Sequence, residues 1–148
     1  ISMRDAIRQI ISERFATYGL LSVLSMVVVF HMLVLAGVIP FQIVWGSRLA
    51  DSRSMMVFES VSIVINVLIL LVVGAHTGVL RLKLNREVTT AVLWGMVILF
   101  LLNTLGNLFS ESQTEKLIFT PLTFVLSVLS LRLAVSDKTT ETSEENRL

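Results

Sequence analysis

Four stretches of about twenty residues in this chain carry almost no charge, and that pattern constrains the fold more than any motif does. They run from Tyr18 to Ile39, Met55 to His76, Val88 to Phe109 and Leu117 to Val135. At about 1.5 Å per helical residue, each is long enough to cross the roughly 30 Å hydrocarbon layer of a bilayer. A soluble domain would distribute its apolar residues at helical or strand period through amphipathic elements. Here they are collected into blocks, and 54% of the 148 residues are apolar against 16% charged, well outside the balance of a soluble domain. The expected fold is all-α: an integral membrane four-helix bundle of up-down topology over residues 17–135.

The flanking segments are read from their patterns. Residues 3–16 form an amphipathic interfacial helix, with Ile7, Ile10, Ile11 and Phe15 at helical spacing opposite Arg4, Arg8 and Arg14, suited to lie on an anionic leaflet. Ile1 and Ser2 precede Met3, which reads as the natural start, and they carry no weight here. The first span lacks the short apolar core and small-residue cleavage site of a signal peptide, so it is expected to be retained. Pro40 closes it, and the stretch from Phe41 to Ser54 is too polar to span and reads as an ordered interfacial segment. Pro121 falls in the first turns of the fourth span, where a missing donor costs least. The Thr, Ser and Glu rich tail 136–148 is expected to be disordered.

Charge placement sets the orientation. Three Lys and Arg precede the first span, three lie in the loop between spans two and three and three lie at the C-terminal end, against three in the two other loops. The positive-inside rule places both termini in the cytoplasm.

The net charge of +1 gives no field that points to nucleic acid. The absence of cysteine removes disulfide, thiolate-metal and redox-pair chemistry. Paired haem ligation is disfavoured because His31 should lie roughly 20 Å from the inner boundary and His76 roughly 6 Å, whereas axial ligands share a level. No cofactor and no metal are expected.

The informative residues are the polar ones inside the spans. Glu59, Ser62 and Asn66 are spaced by three and four, hence on one helical face. Asn103, Asn107 and Glu111 form a second stripe descending from the same outer surface. Antiparallel packing brings Glu59 near the level of Asn107 and Ser62 near that of Asn103, with Thr120 and Thr123 close by and His31 just below. The inner halves are nearly free of such groups until Arg132, which can snorkel to the headgroups. The asymmetry describes an outward-opening polar cup lidded by the segment from Pro40 to Ser54, where Trp45 and Arg48 would close or steer the opening.

Each member has a plainer role. Asn and Ser in membrane helices serve as interhelical glue worth about 0.6–2 kcal/mol per hydrogen bond. Glu59 is costly at the hydrocarbon edge unless protonated, hydrated or paired, and Arg48 is a candidate clasp for which Asp51 could compete. Trp45 suits an interfacial anchor. His31 suits a buried hydrogen-bond partner. Gly74 and Gly78 have the small-xxx-small spacing of close helix approach, with homodimerisation the lesser reading.

The run IPFQIVWGSRL from Ile39, with FESVSIVIN from Phe58 and LNTLGNLFS from Leu102, resembles a group of small bacterial four-span integral membrane proteins with no assigned activity. The resemblance covers Val38 to Leu133 and implies a bacterial inner membrane.

Three functions fit. The preferred one is a binding module whose cup, built from Glu59, Ser62, Asn66, Asn103, Asn107 and His31, receives a small polar molecule or a membrane lipid headgroup. A dimeric proton-coupled transporter working through Glu59 is the main alternative, and an accessory subunit packed on a larger membrane protein the other. An enzyme using Glu59 or His31 as general base on a lipid has no supporting nucleophile or metal motif.

Overall fold

A computed structural model of the protein describes the backbone of residues 1–45 and 51–145, and side chains over 1–43 and 51–136. Its elements are α1 (Met3–Ile10), α2 (Glu13–Leu35), the short α3 (Gln42–Trp45), α4 (Ser52–His76), α5 (Arg86–Leu108), a π-helical turn (Glu115–Phe119) and α6 (Thr120–Glu145). Four helical stretches, Glu13–Leu35, Ser52–His76, Arg86–Leu108 and Glu115–Ser136, are long and apolar enough to cross a membrane. The chain is a multi-pass all-α membrane protein, an up-down four-helix bundle preceded by a short amphipathic helix.

The first span lies nearer the N-terminus than its apolar run suggested, beginning at Glu13 and ending at Leu35. Ser12 is the cause at one end. Its hydroxyl accepts from the Phe15 N–H at 3.1 Å, an N-cap that starts a new helix, while Ile11 is extended. Residues 13–16, expected in the interfacial helix, therefore belong to the span. Gly37 is the cause at the other end. Its φ of +81° lets the N–H groups of Gly37 and Val38 reach the carbonyls of Val34 and Leu33 at 3.0 and 2.9 Å, closing the helix before Pro40 is reached.

The C-terminal tail, expected to be disordered from Ser136, continues α6 as helix to Glu145. Propagating an existing helix costs little, because each added residue gains one hydrogen bond. The small-xxx-small reading of Gly74 and Gly78 is also corrected. A side chain at Gly74 would meet Leu80 of the following turn at 2.9 Å rather than a neighbouring helix. Gly78 has φ +80° and caps α4.

α1 is pinned to the bundle. Ser2, set aside in the sequence reading, caps it reciprocally with Asp5. The Arg8 guanidinium donates to the Val135 carbonyl at 2.5 Å. Arg132 is buried instead of snorkelling: its Nε donates to the Ile11 carbonyl at 2.6 Å and its Nη1 to the Ser136 hydroxyl. It thereby satisfies a carbonyl that the break between α1 and α2 leaves outside helical pairing.

The close-packed core occupies the half of the bundle nearest the termini. Leu20 and Leu24 early in α2 meet Ile69 and Val73 late in α4, with Leu93 and Met96 of α5 and Leu129 and Leu133 of α6. Gly19 brings α2 close to Leu129, where a Cβ would lie 3.0 Å from its side chain. α4 packs chiefly on α2, and α5 chiefly on α6, with α2 and α6 joining the two pairs; the α4–α5 seam is thin.

Two predictions follow from these caps and ties. Arg132→Met should cost about 1–3 kcal/mol, the penalty of a buried acceptor left unpaired, seen as a lower thermal midpoint and faster amide exchange over residues 3–11. Unchanged exchange there would show that the tie does not hold α1. Asp51 caps α4 by accepting from the Ser54 N–H at 2.8 Å, and hydrogen bonding by the Ser54 hydroxyl, with this backbone N–H second, holds its carboxyl below the usual range. A lowered folded value means stabilisation that is complete above the unfolded pKa of about 4 and lost as pH falls through the folded one. Amide protection over residues 52–55 should therefore drop only in acid, and Asp51→Asn should remove that pH dependence.

Candidate functional site

The half of the bundle away from the termini is built differently. α4 starts at its Asp51 cap, and two turns later its inward face presents Glu59, which has no exposed surface. α2 runs antiparallel, so His31, one turn before its end, arrives at the same level. His31 Nδ1 lies 2.6 Å from Glu59 Oε2. A carboxylate buried in a membrane-spanning bundle requires such a partner. Arg48, a candidate clasp for Glu59 in the sequence reading, lies outside the described residues, as does the side chain of Trp45.

His31 also forms part of a cavity wall. The cavity, about 570 Å³, lies among α2, α4, α5 and the start of α6. Its polar lining comprises His31, Ser62, Asn66, Asn103, Asn107 and Thr123, so five of the eight residues singled out in the sequence meet in one space, and Glu59 stands against it through His31. Its apolar lining includes Val23, Val27, Phe30, Leu99, Phe100 and Leu126. Phe30 packs edge-on against His31 and against Phe119 of the π turn, with ring centroids 5.8 and 5.4 Å apart, closing the cavity between α2 and α6.

The polar groups are not equivalent. The Ser62 hydroxyl donates to its own helix at the Phe58 carbonyl, 2.8 Å away, and Asn66 Nδ2 donates to the Ser62 carbonyl at 2.8 Å. The Thr104 and Thr123 hydroxyls pair across α5 and α6 at 2.9 Å, and the Ser127 hydroxyl donates to the Val97 carbonyl at 3.0 Å. The last two are helix-to-helix ties of the glue type. Asn103 and Asn107 make no side-chain hydrogen bond among the described residues, and both face the cavity. Gly106 between them lines it too, and a Cβ there would meet open space.

One expectation is revised, and one buried carboxylate was missed. Glu111 does not continue the Asn103 and Asn107 stripe, because α5 ends at Leu108 and Glu111 is exposed in the turn beyond. The buried carboxylate on that side is Glu115, which has no exposed surface and accepts from the Ser110 hydroxyl. A signal for it was present: Ser112 to Glu115 has the S-x-x-E spacing of a capping box, and the Ser112 hydroxyl accepts from the Glu115 N–H at 3.5 Å. The same hydroxyl donates to the Ile43 carbonyl at 3.4 Å, which ties α3 to the α5–α6 turn above the cavity.

The His31–Glu59 pair generates a prediction. Removing either partner alone, as His31→Phe or Glu59→Leu, should cost about 3–5 kcal/mol of bundle stability. The double variant should cost clearly less than the two added together. Additive losses in thermal or denaturant unfolding would show that the two side chains are not coupled. Comparison with known protein families, with characterised proteins and with solved structures finds no match for this chain.

Proposed function

We propose that this protein is a membrane-embedded binding module whose cavity receives a small amphipathic molecule or a lipid headgroup from the side of the membrane opposite the termini. The observation that carries the reading is one cavity of about 570 Å³ in which amides and an imidazole adjoin an apolar surface. Small-molecule sites have this size and this mixture of apolar wall and few convergent polar groups, typically about 300–1,000 Å³. Glue residues would be expected to bond across helices, as Thr104 and Thr123 do; the amides of Asn103 and Asn107 are instead offered to the space between helices. The thin α4–α5 seam supports access from the lipid.

Binding is favoured over passage. Below the cavity Ile69, Val73, Leu93, Met96, Leu129 and Leu133 fill the remaining half of the bundle, and Glu59 is not among the cavity-lining residues. Both features weigh against proton-coupled transport through Glu59. The charge bias of the loops supports cytoplasmic termini, which makes the cavity outward-facing, and the resemblance to bacterial four-span proteins supports an inner-membrane location.

Gently extracted protein examined by native mass spectrometry should retain a bound lipid or small molecule. Gly106→Ala should leave retention unchanged, since its Cβ meets nothing. Gly106→Phe should fill the space and weaken retention about tenfold or more, the effect expected when a ligand loses a side chain's worth of apolar contact. Equal retention by both variants would refute the assignment of the cavity as the site.

A further inference from the structure

We infer that the cavity selects an uncharged amphiphile, a neutral glycerolipid with free hydroxyls such as a monoacylglycerol, over lipids with an ionised head; the inference rests on the cavity being a binding site. The basis is the chemistry of the wall. Among the described residues His31 is the only ionisable group that lines it, and its Nδ1 is already engaged by the buried Glu59 at 2.6 Å. The described Lys and Arg side chains lie elsewhere: Arg4, Arg8 and Arg14 precede or open α2, Arg81 and Lys83 belong to the α4–α5 turn, Arg86 opens α5, and Arg132 is tied to Ile11. Arg53 and Lys116, at the same end as the cavity, are not among the residues that line it.

A phosphate or carboxylate drawn into this space would give up hydration without meeting a guanidinium or ammonium on the described wall, and would lie near the carboxyl group behind His31. An ammonium fares no better, because Glu59 is covered by His31 and presents no surface. Hydroxyls suit the wall. The amides of Asn103 and Asn107 each supply two donors and an acceptor, and the Ser62 hydroxyl, which donates to Phe58, keeps its acceptor capacity toward the cavity. The floor of Val23, Val27, Leu99 and Leu126 accommodates hydrocarbon, and the thin α4–α5 seam allows a chain to trail into the bilayer. Polar head and apolar tail thus meet separate surfaces of one cavity, and among the described residues neither surface carries a lysine, arginine or carboxylate.

The test uses three probes with the same acyl chain and different heads, 1-oleoylglycerol, oleate and 1-oleoyl lysophosphatidic acid, titrated against the full chain in nanodiscs. 1-Oleoylglycerol should bind about tenfold more tightly than either anion and lose about tenfold in Asn103→Leu/Asn107→Leu, on the order of one or two hydrogen bonds. Asn107→Leu alone serves as the second variant should the double one fail to fold. An anion that binds as tightly as the glycerolipid and is displaced by Gly106→Phe would leave the site standing and overturn its preference for a neutral head. Glycerolipid binding that Gly106→Phe abolishes but neither asparagine variant weakens would overturn the assignment of the head to the amides. If no probe shows binding sensitive to Gly106→Phe, both the preference and the site fall.

Discussion

A carboxyl group with no exposed surface, held inside helices that cross hydrocarbon, is tolerated only where a partner of the right chemistry reaches it. Glu59 meets that condition through His31, and much of the bundle's register follows. Fixing residue 31 of α2 level with residue 59 of α4 sets the relative height of the two helices. It also sets Phe30 against Phe119, which seats the π turn and the start of α6. A shift of one residue in α2 would rotate the imidazole by about 100° around the helix and remove it from the carboxyl group. The polar pair therefore acts as a register pin of the kind buried polar groups supply in other helical assemblies.

The π turn carries a second local constraint. Pro121 cannot donate a hydrogen bond, and its ring crowds the carbonyl one turn earlier. The wider turn at Glu115–Phe119 absorbs that conflict before α6 settles into regular helix: the Thr120 N–H and hydroxyl both use the Glu115 carbonyl, and the Thr123 hydroxyl takes the Phe119 carbonyl at 2.7 Å. Widened turns of this type recur near functional sites because they redirect side chains; here the turn presents Phe119 to the cavity and buries Glu115.

The helical class and the four spans were legible because about twenty uncharged residues in a row admit few other structures. The meeting of Ser62, Asn66, Asn103 and Asn107 was legible too, since helical spacing fixes the face and antiparallel packing fixes the level. What escaped was decided by short-range polar contacts. Ser12 and Gly37 move the ends of α2 through single caps that hydropathy does not register. Glu115 lies among the polar residues Ser110 to Lys116, where only the capping-box spacing from Ser112 marks a helix start. Arg132 looked free to reach the headgroups, but the break at Ile11 supplies a carbonyl on the bundle that solvent would otherwise have to satisfy. His31 was read as a buried hydrogen-bond partner and is one, but that it meets Glu59 depended on which face of α2 turns inward, and a nearly uniform apolar helix gives little sign of that.

The uneven packing of the four helices has a mechanical consequence. α2 with α4 and α5 with α6 form two well-packed pairs that meet along α2 and α6 and are joined on the other side by the α4–α5 turn and a thin seam. The α4–α5 side is therefore where the bundle is held least by its own contacts, while Leu20, Leu24, Leu129 and Leu133 hold α2 and α6 together at the end near the termini. Along that seam the hydrocarbon of the surrounding lipid completes the packing that a neighbouring helix supplies elsewhere.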